Sequence, residues 1–280
     1  MCTKSTPIHS QIVMSKQSRE YSSEQTTSPL MKPPECLAFT VRGPWGHFRR
    51  VEGNIVKQTY KIIPRTTVSG LLAGILGIER DQYYELFGPG CSAIAIEPVE
   101  PLRTLNIPVN TLSTAKKEMT SLNGRGKLSI RLPNPTERRQ QHNYEVLVDP
   151  AYRIYVWLAD KYRFNELTSM LESGKSHYVP SLGLSEYIAD IDYHGRYDVS
   201  VGAKESVTAV DSAVPNAIEQ VVPDQETRCH VEKSPAFMST DDRGRKTTCF
   251  TRYVFNPDAG SLNIKNQRTS LVDGRNVVFV

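Results

Sequence analysis

Residues 64–78, PRTTVSGLLAGILGI, place Val68, Leu71, Leu72, Ile75 and Leu76 at i, i+3, i+4, i+7 and i+8. That is one face of an amphipathic helix, and Thr66 or Thr67 after Pro64 suits its N-cap. The segments on either side have a different period. CLAFTVR (36–42) alternates Leu37, Phe39 and Val41 against Ala38, Thr40 and Arg42, the pattern of a half-buried strand. CSAIAIEP (91–98) reads as a second strand. The chain therefore opens β-α-β, and a helix between two strands must pack on a sheet. Gly70, Ala73, Gly74 and Gly77 form a second stripe on the helix. Glycine weakens a helix interior, so this stripe predicts a close neighbour.

The later segments extend the pattern. DQYYELF (81–87) reads as a short helix. NYEVLVDPAYRIYVWL (143–158) reads as two strands broken at Asp149-Pro150, and FNELTSMLESG (164–174) as a helix with Phe164, Leu167 and Leu171 inward and Gly174 at C′. A turn and one or two strands follow. Without one inserted arm and one extra hairpin strand, the order is β-α-β-β-α-β, an α+β, ferredoxin-like arrangement over residues 35–202. The arm, 103–142, shows no sustained hydrophobic period and reads as a long protruding loop or hairpin, a length associated with function. Residues 1–34 are polar and aperiodic, as in a disordered tail. Residues 203–280 read as a small β-rich appendage with a hairpin across DDRGRK and a closing strand NVVFV.

No run of 18 apolar residues occurs, and the N-terminus lacks a signal-peptide core. The five cysteines are an odd number without a CxxC pair, which fits the cytosol and argues against a disulfide framework. Cys229, His230 and Cys249 lack metal-finger spacing, so no metal is expected. P-loop, GxSxG and HExxH motifs do not occur. GPGCSA (88–93) precedes a strand rather than opening a helix, so it is no dinucleotide fingerprint.

Charge is uneven. The net charge is +4, yet residues 42–65 carry six basic side chains against Glu52, and residues 103–139 carry eight against Glu118 and Glu137. Two basic blocks on an otherwise acidic chain mark a local anionic partner. The first holds RGPWGHFRRVEG (42–53), where rings and guanidinium groups alternate on a glycine-rich turn. Single-stranded RNA is gripped that way: bases stack on aromatic or arginine planes while cations neutralise phosphates. Trp45, His47 and Phe48 would supply planes; Arg42, Arg49, Arg50 and Lys57 would supply charge. Tyr60 lies between them and Arg65, which precedes a helix N-terminus.

GPWGHFRRVEGNIVKQTYKIIPRTTVSGLLAGILGI, NTLSTAKKEMTSLNGRGKLSIRLP, RQQHNYEVLVDPAYRIYVWL and GKSHYVPSLGLSEY occur in this order. Together they resemble blocks of the Cas5 proteins, RAMP-superfamily subunits of type I CRISPR interference complexes, and are nearest the type I-B (Cas5h) branch. The resemblance spans about residues 36–200 and weakens after 203. It implies a ferredoxin-like RAMP domain that grips the 5′ handle of the crRNA, caps the Cas7 filament and contacts the Cas8 large subunit in a hetero-oligomeric complex. It also implies a thumb hairpin where the basic arm lies, lined by Lys116, Lys117, Arg125, Lys127 and Arg131, with Arg138 and Arg139 beside them. No cofactor is implied.

One branch, type I-C, cuts repeat RNA with a tyrosine and a lysine–histidine pair. The counterparts here are Tyr60, Lys57, His47 and His142, but 103–142 contains no Lys-His dipeptide. The expectation is a non-catalytic RNA-binding subunit, with a metal-independent endoribonuclease as the alternative. A general RRM-like protein is disfavoured because no RNP1 pattern occurs.

Overall fold

The computed structural model describes residues 32–50, 56–112, 139–202, 205–223, 227–242 and 244–280. In chain order the first elements are β1 (Glu35–Arg42), β2 (Trp45–Gly46), β3 (Val56–Lys57), α1 (Arg65–Ile75), β4 (Ser92–Pro98), β5 (Arg103–Leu112), β6 (Arg139–Val148) and β7 (Ala151–Leu158). Next come α2 (Lys161–Glu172), β8 (Asp190–Asp198), β9 (Ser200–Val201), β10 (Val207–Val210), β11 (Val214–Pro215), β12 (His230–Asp241) and β13 (Gly244–Phe255). The last are β14 (Leu262–Lys265), β15 (Ser270–Val272) and β16 (Arg275–Val277). The protein is a sheet-rich α+β chain.

The central sheet has the order β4-β7-β1-β8, every pair antiparallel. Its strands are the alternating segments read above. One face carries Leu37, Phe39, Val41, Ile94, Ile154 and Val156 into a core shared with Val68, Leu72 and Ile75 of α1 and Phe164, Leu167 and Leu171 of α2. β1 differs from the half-buried expectation because both of its faces are covered. Cys36 and Ala38, with Ala93 and Ala95, lie in a second core with Val272, Val277 and Phe279. Small residues on that face leave room for the C-terminal strands, and period alone does not reveal a cover supplied from so far along the chain.

Both helices end in Schellman closures. In α1, Gly77 N–H donates to Gly74 and Ile78 N–H to Ala73; in α2, Gly174 N–H donates to Leu171 and Lys175 N–H to Met170. Gly77 and Gly174 both have positive φ. At the N-termini, Asp160 caps α2 by accepting from the Tyr162 and Arg163 amides. The N-cap of α1 is Pro64, without a side-chain cap, rather than Thr66 or Thr67. Packing of the apolar face, not capping, holds α1. Its small-residue stripe does meet close neighbours: Tyr83 faces Gly70, and the 177–178 backbone donates to the Ile75 and Gly74 carbonyls. Residues 81–87 form turns instead of a helix. Asp81 has positive φ, and Gly88-Pro89-Gly90 follows at once.

The C-terminal region is built of strands, led by the β12–β13 hairpin across the expected turn. It is not a loose appendage. Tyr253 and Phe255 enter the same core as α1 and the central sheet. Val280 exchanges two backbone hydrogen bonds with Ile94 at the sheet margin. No helix among the described residues is long and apolar enough to cross a membrane.

Candidate nucleic-acid interface

β5 and β6 form a ten-pair antiparallel hairpin from Arg103↔Val148 out to Leu112↔Arg139. This ladder is a regular two-stranded stem at the two ends of the segment read as an arm, whose middle, 113–138, lies outside the described residues. Residues 45–50 and 56–60 lie along the other edge of β6, with β2 antiparallel to 147–148 and β3 parallel to 143–144. The 45–50 run pairs with 56–60: Tyr60 N–H donates to the Phe48 carbonyl and Arg50 N–H to the Gln58 carbonyl. Its base is anchored by the His47 amide on the Leu182 carbonyl at 2.9 Å. Gly183, at φ +95°, lies directly against the His47 carbonyl, leaving no space for a side chain.

The predicted residues separate into two groups. Arg42 and Arg49 are exposed, while Trp45, Arg50 and Lys57 are partly exposed. Arg42 is ion-paired with Asp192 and Arg50 with Glu232. Glu232 also accepts from the Lys61 and Ile62 amides, and Arg50 lies over the Tyr60 ring. Arg50 is therefore partly committed to holding the turn, and Arg49 is its more available neighbour.

His47, Phe48, Tyr60 and Arg65 are buried, contrary to a surface role. Phe48 and Tyr60 join the main core. His47 Nδ1 bonds the Glu145 carbonyl at 2.8 Å, and its ring packs on Tyr144. Arg65 is turned away from solvent at 1 % exposure. Its guanidinium donates to the carbonyls of Val280, Phe87 and Ala236 and to the Ser92 hydroxyl, and it lies 4.1 Å over the Phe237 ring. These groups satisfy its donors, so the charge is spent inside the fold. Lys116, Lys117, Arg125, Lys127, Arg131 and Arg138 lie outside the described residues, as does the tail over 1–31. Arg139 is the first residue of β6.

The family model for CRISPR-associated protein (Cas_Cas5) matches residues 36–257. The chain belongs to the Cas5 family. No curated protein matches the sequence. Two of the similar solved structures are a CRISPR protein from Archaeoglobus fulgidus and a chain of a CRISPR RNA-guided surveillance complex. The first is 14% identical, with 87% of this chain and 98% of that chain covered at a TM-score of 0.49. The second is 12% identical, with 82% and 91% covered at a TM-score of 0.45.

This Cas5 chain also brings basic groups together that motif reading does not single out. The fields of Arg103 and Lys61 both reach Asp258, which pairs with Arg228. Leu102 N–H donates to the Pro257 carbonyl at 2.7 Å, so the 256–258 turn fixes the foot of β5. Beside the central sheet, an open cleft is bordered by Arg42, Arg103, Arg153 and His194 together with the acidic Glu100, Asp149 and Asp190. His194 sits at the β1–β8 bulge, 2.7 Å from the Thr40 hydroxyl. A bulge that re-aims a side chain leaves no periodic signal in sequence.

Burial lowers the His47 pKa, with a further depression from Arg49, and burial also lowers those of His194 and His230. A depressed histidine stays neutral in the fold while the unfolded chain takes up protons below the ordinary value near 6.5. Stability conferred by that histidine is thus lost as pH falls through 6.5. Glu97 and Glu232, raised by burial, act in the opposite sense. The clean readout is a difference: between pH 7.5 and 5.5, the melting temperature of His47→Gln falls less than that of the wild type. Equal falls in thermal melts would show that His47 does not contribute.

Proposed function

We propose that this Cas5-family chain is a non-catalytic subunit of a type I-B CRISPR interference complex that grips the 5′ handle of the crRNA. In that complex it would cap the Cas7 filament and contact the Cas8 large subunit. The observation carrying the reading is that β6 is flanked by exposed or part-exposed cations on both sides, Arg49, Lys57 and Lys61 on or next to the strands along one edge and Arg103 at the foot of β5 along the other. A strip of cations beside a two-stranded arm suits a folded single strand, whose phosphates lie along the edge while its bases turn inward. Trp45, half-buried at the start of the segment, supplies the remaining ring for stacking.

The ferredoxin-like, RAMP description draws support from the central sheet. Taken in chain order, its four strands have the spatial order 2-3-1-4, with α1 after the first and α2 after the third. The β5–β6 stem supports the thumb. Burial of both His47 and Tyr60 argues against the repeat-cutting alternative, because a base and an acid must reach the 2′-hydroxyl and the leaving oxygen.

The test is filter binding of handle RNA across a salt series. Arg49→Ala combined with Lys57→Ala should weaken binding and lower the slope of log K against log salt by about 1.4, two phosphate contacts on a single strand. Arg50→Ala should also weaken binding, in part by releasing Glu232 and loosening the turn. An unchanged slope in the double variant rejects the assignment of this edge.

A further inference from the structure

The two faces of the β12–β13 hairpin have opposite characters. Glu232, Ser234, Thr251 and Tyr253 point inward and are buried, and Glu232 there holds Arg50. The other face brings Lys233 directly opposite Arg252, with Pro235 opposite Phe250 in the next pair. Lys233, Phe250 and Arg252 are exposed, and Phe250 leaves 44% of its surface in solvent. The Lys233 ammonium lies 5.3 Å from the centre of the Phe250 ring. Among the described residues, neither cation has a carboxylate within ion-pairing reach. Like charges directly opposed on neighbouring strands weaken a sheet. An open phenylalanine beside them adds apolar surface that the fold does not use.

We propose that this outer face is a second nucleic-acid site, on which a single strand stacks a base on Phe250 and lays its phosphates between Lys233 and Arg252. The features match the occupant. An aromatic plane accepts any base, and paired cations supply the phosphate contacts. The strand bound here need not carry the handle sequence, because stacking on a ring and contacts to phosphates do not depend on which base is present. The site faces away from Arg50 and Lys61, since Glu232 reaches them from the inner side of the same strand. It therefore stands independently of the handle reading.

The experiment uses the full-length protein, a fluorescein-labelled 15-nucleotide oligouridylate without repeat sequence, and anisotropy across a salt series. Lys233→Ala with Arg252→Ala should weaken binding about tenfold and lower the salt slope by about 1.4. Phe250→Leu should weaken it about tenfold with the slope unchanged, as expected for lost stacking. Neither variant should melt below the wild type, since the double variant relieves the Lys233–Arg252 repulsion, and both should keep wild-type affinity for handle RNA. Unchanged oligouridylate binding in both variants would overturn the proposal. So would loss of binding to polyglutamate with oligouridylate binding intact, which would make the face a dock for an acidic protein. Failure of the handle reading appears elsewhere, as an unaltered handle affinity in the Arg49→Ala, Lys57→Ala protein.

Discussion

Arg65→Met should destabilise the protein by roughly 3–5 kcal/mol, because it strips the partner from several buried acceptors at once. The Arg65 guanidinium ties together the Phe87 carbonyl at the end of the 81–87 turns, Ser92 at the start of β4, Ala236 in β12 and Val280 at the sheet margin. Methionine can replace the stem but none of the donors, so the Phe87 and Ala236 carbonyls and the Ser92 hydroxyl lose this partner inside the fold, while the Val280 carbonyl keeps only its bond from the Ile94 amide. Burial pulls the Arg65 pKa down to about 10, which still leaves it charged at neutral pH. Arg65→Lys keeps the charge yet offers a point donor where a planar fork is in use, and should recover less than half of the loss. Urea denaturation of the three proteins measures this directly. A loss below about 1 kcal/mol in Arg65→Met would return Arg65 to the surface and to RNA contact.

Gly183→Ala should cost roughly 2–4 kcal/mol and weaken RNA binding as well. Two effects combine at this position. The backbone has φ +95°, and a Cβ would fall inside the His47 carbonyl oxygen. To relieve the clash, either the 180–188 loop or the 45–50 segment must move. Gly90 separates the two effects: it has φ +81° with open space around it. Gly90→Ala should therefore cost only about 1 kcal/mol, the backbone penalty alone. Equal losses for the two variants would show that the approach to His47 is not restrictive. Displacement of the segment should lower handle affinity in Gly183→Ala but not in Gly90→Ala.

The parts of the fold with a clear period were legible in sequence. β1, α1, the β6–β7 break at Asp149-Pro150 and the β12–β13 hairpin follow from alternation, helical spacing and turn residues. α2 begins at Lys161, three residues before the first apolar position, because Asp160 caps it. The candidate site was less legible. Arg65 reads as a surface cation, and only contacts with Phe87, Ala236 and Val280, distant along the chain, turn it inward. His47 and Phe48 sit on a turn rich in arginine and glycine, yet the 182–183 loop and Thr59 cover them. Local composition described the segment correctly as basic and aromatic. It did not show that two of its rings, His47 and Phe48, are buried in the fold.

The most direct test of the central claim incubates the purified protein, in EDTA, with repeat RNA labelled at its 5′ end, and follows both cleavage and retention on a gel. The RNA should be retained through its handle and remain uncut. Cleavage at a single site would contradict the non-catalytic reading and direct attention to Tyr60, Lys57, His47 and His142. Failure to retain the RNA at low salt would contradict handle binding itself.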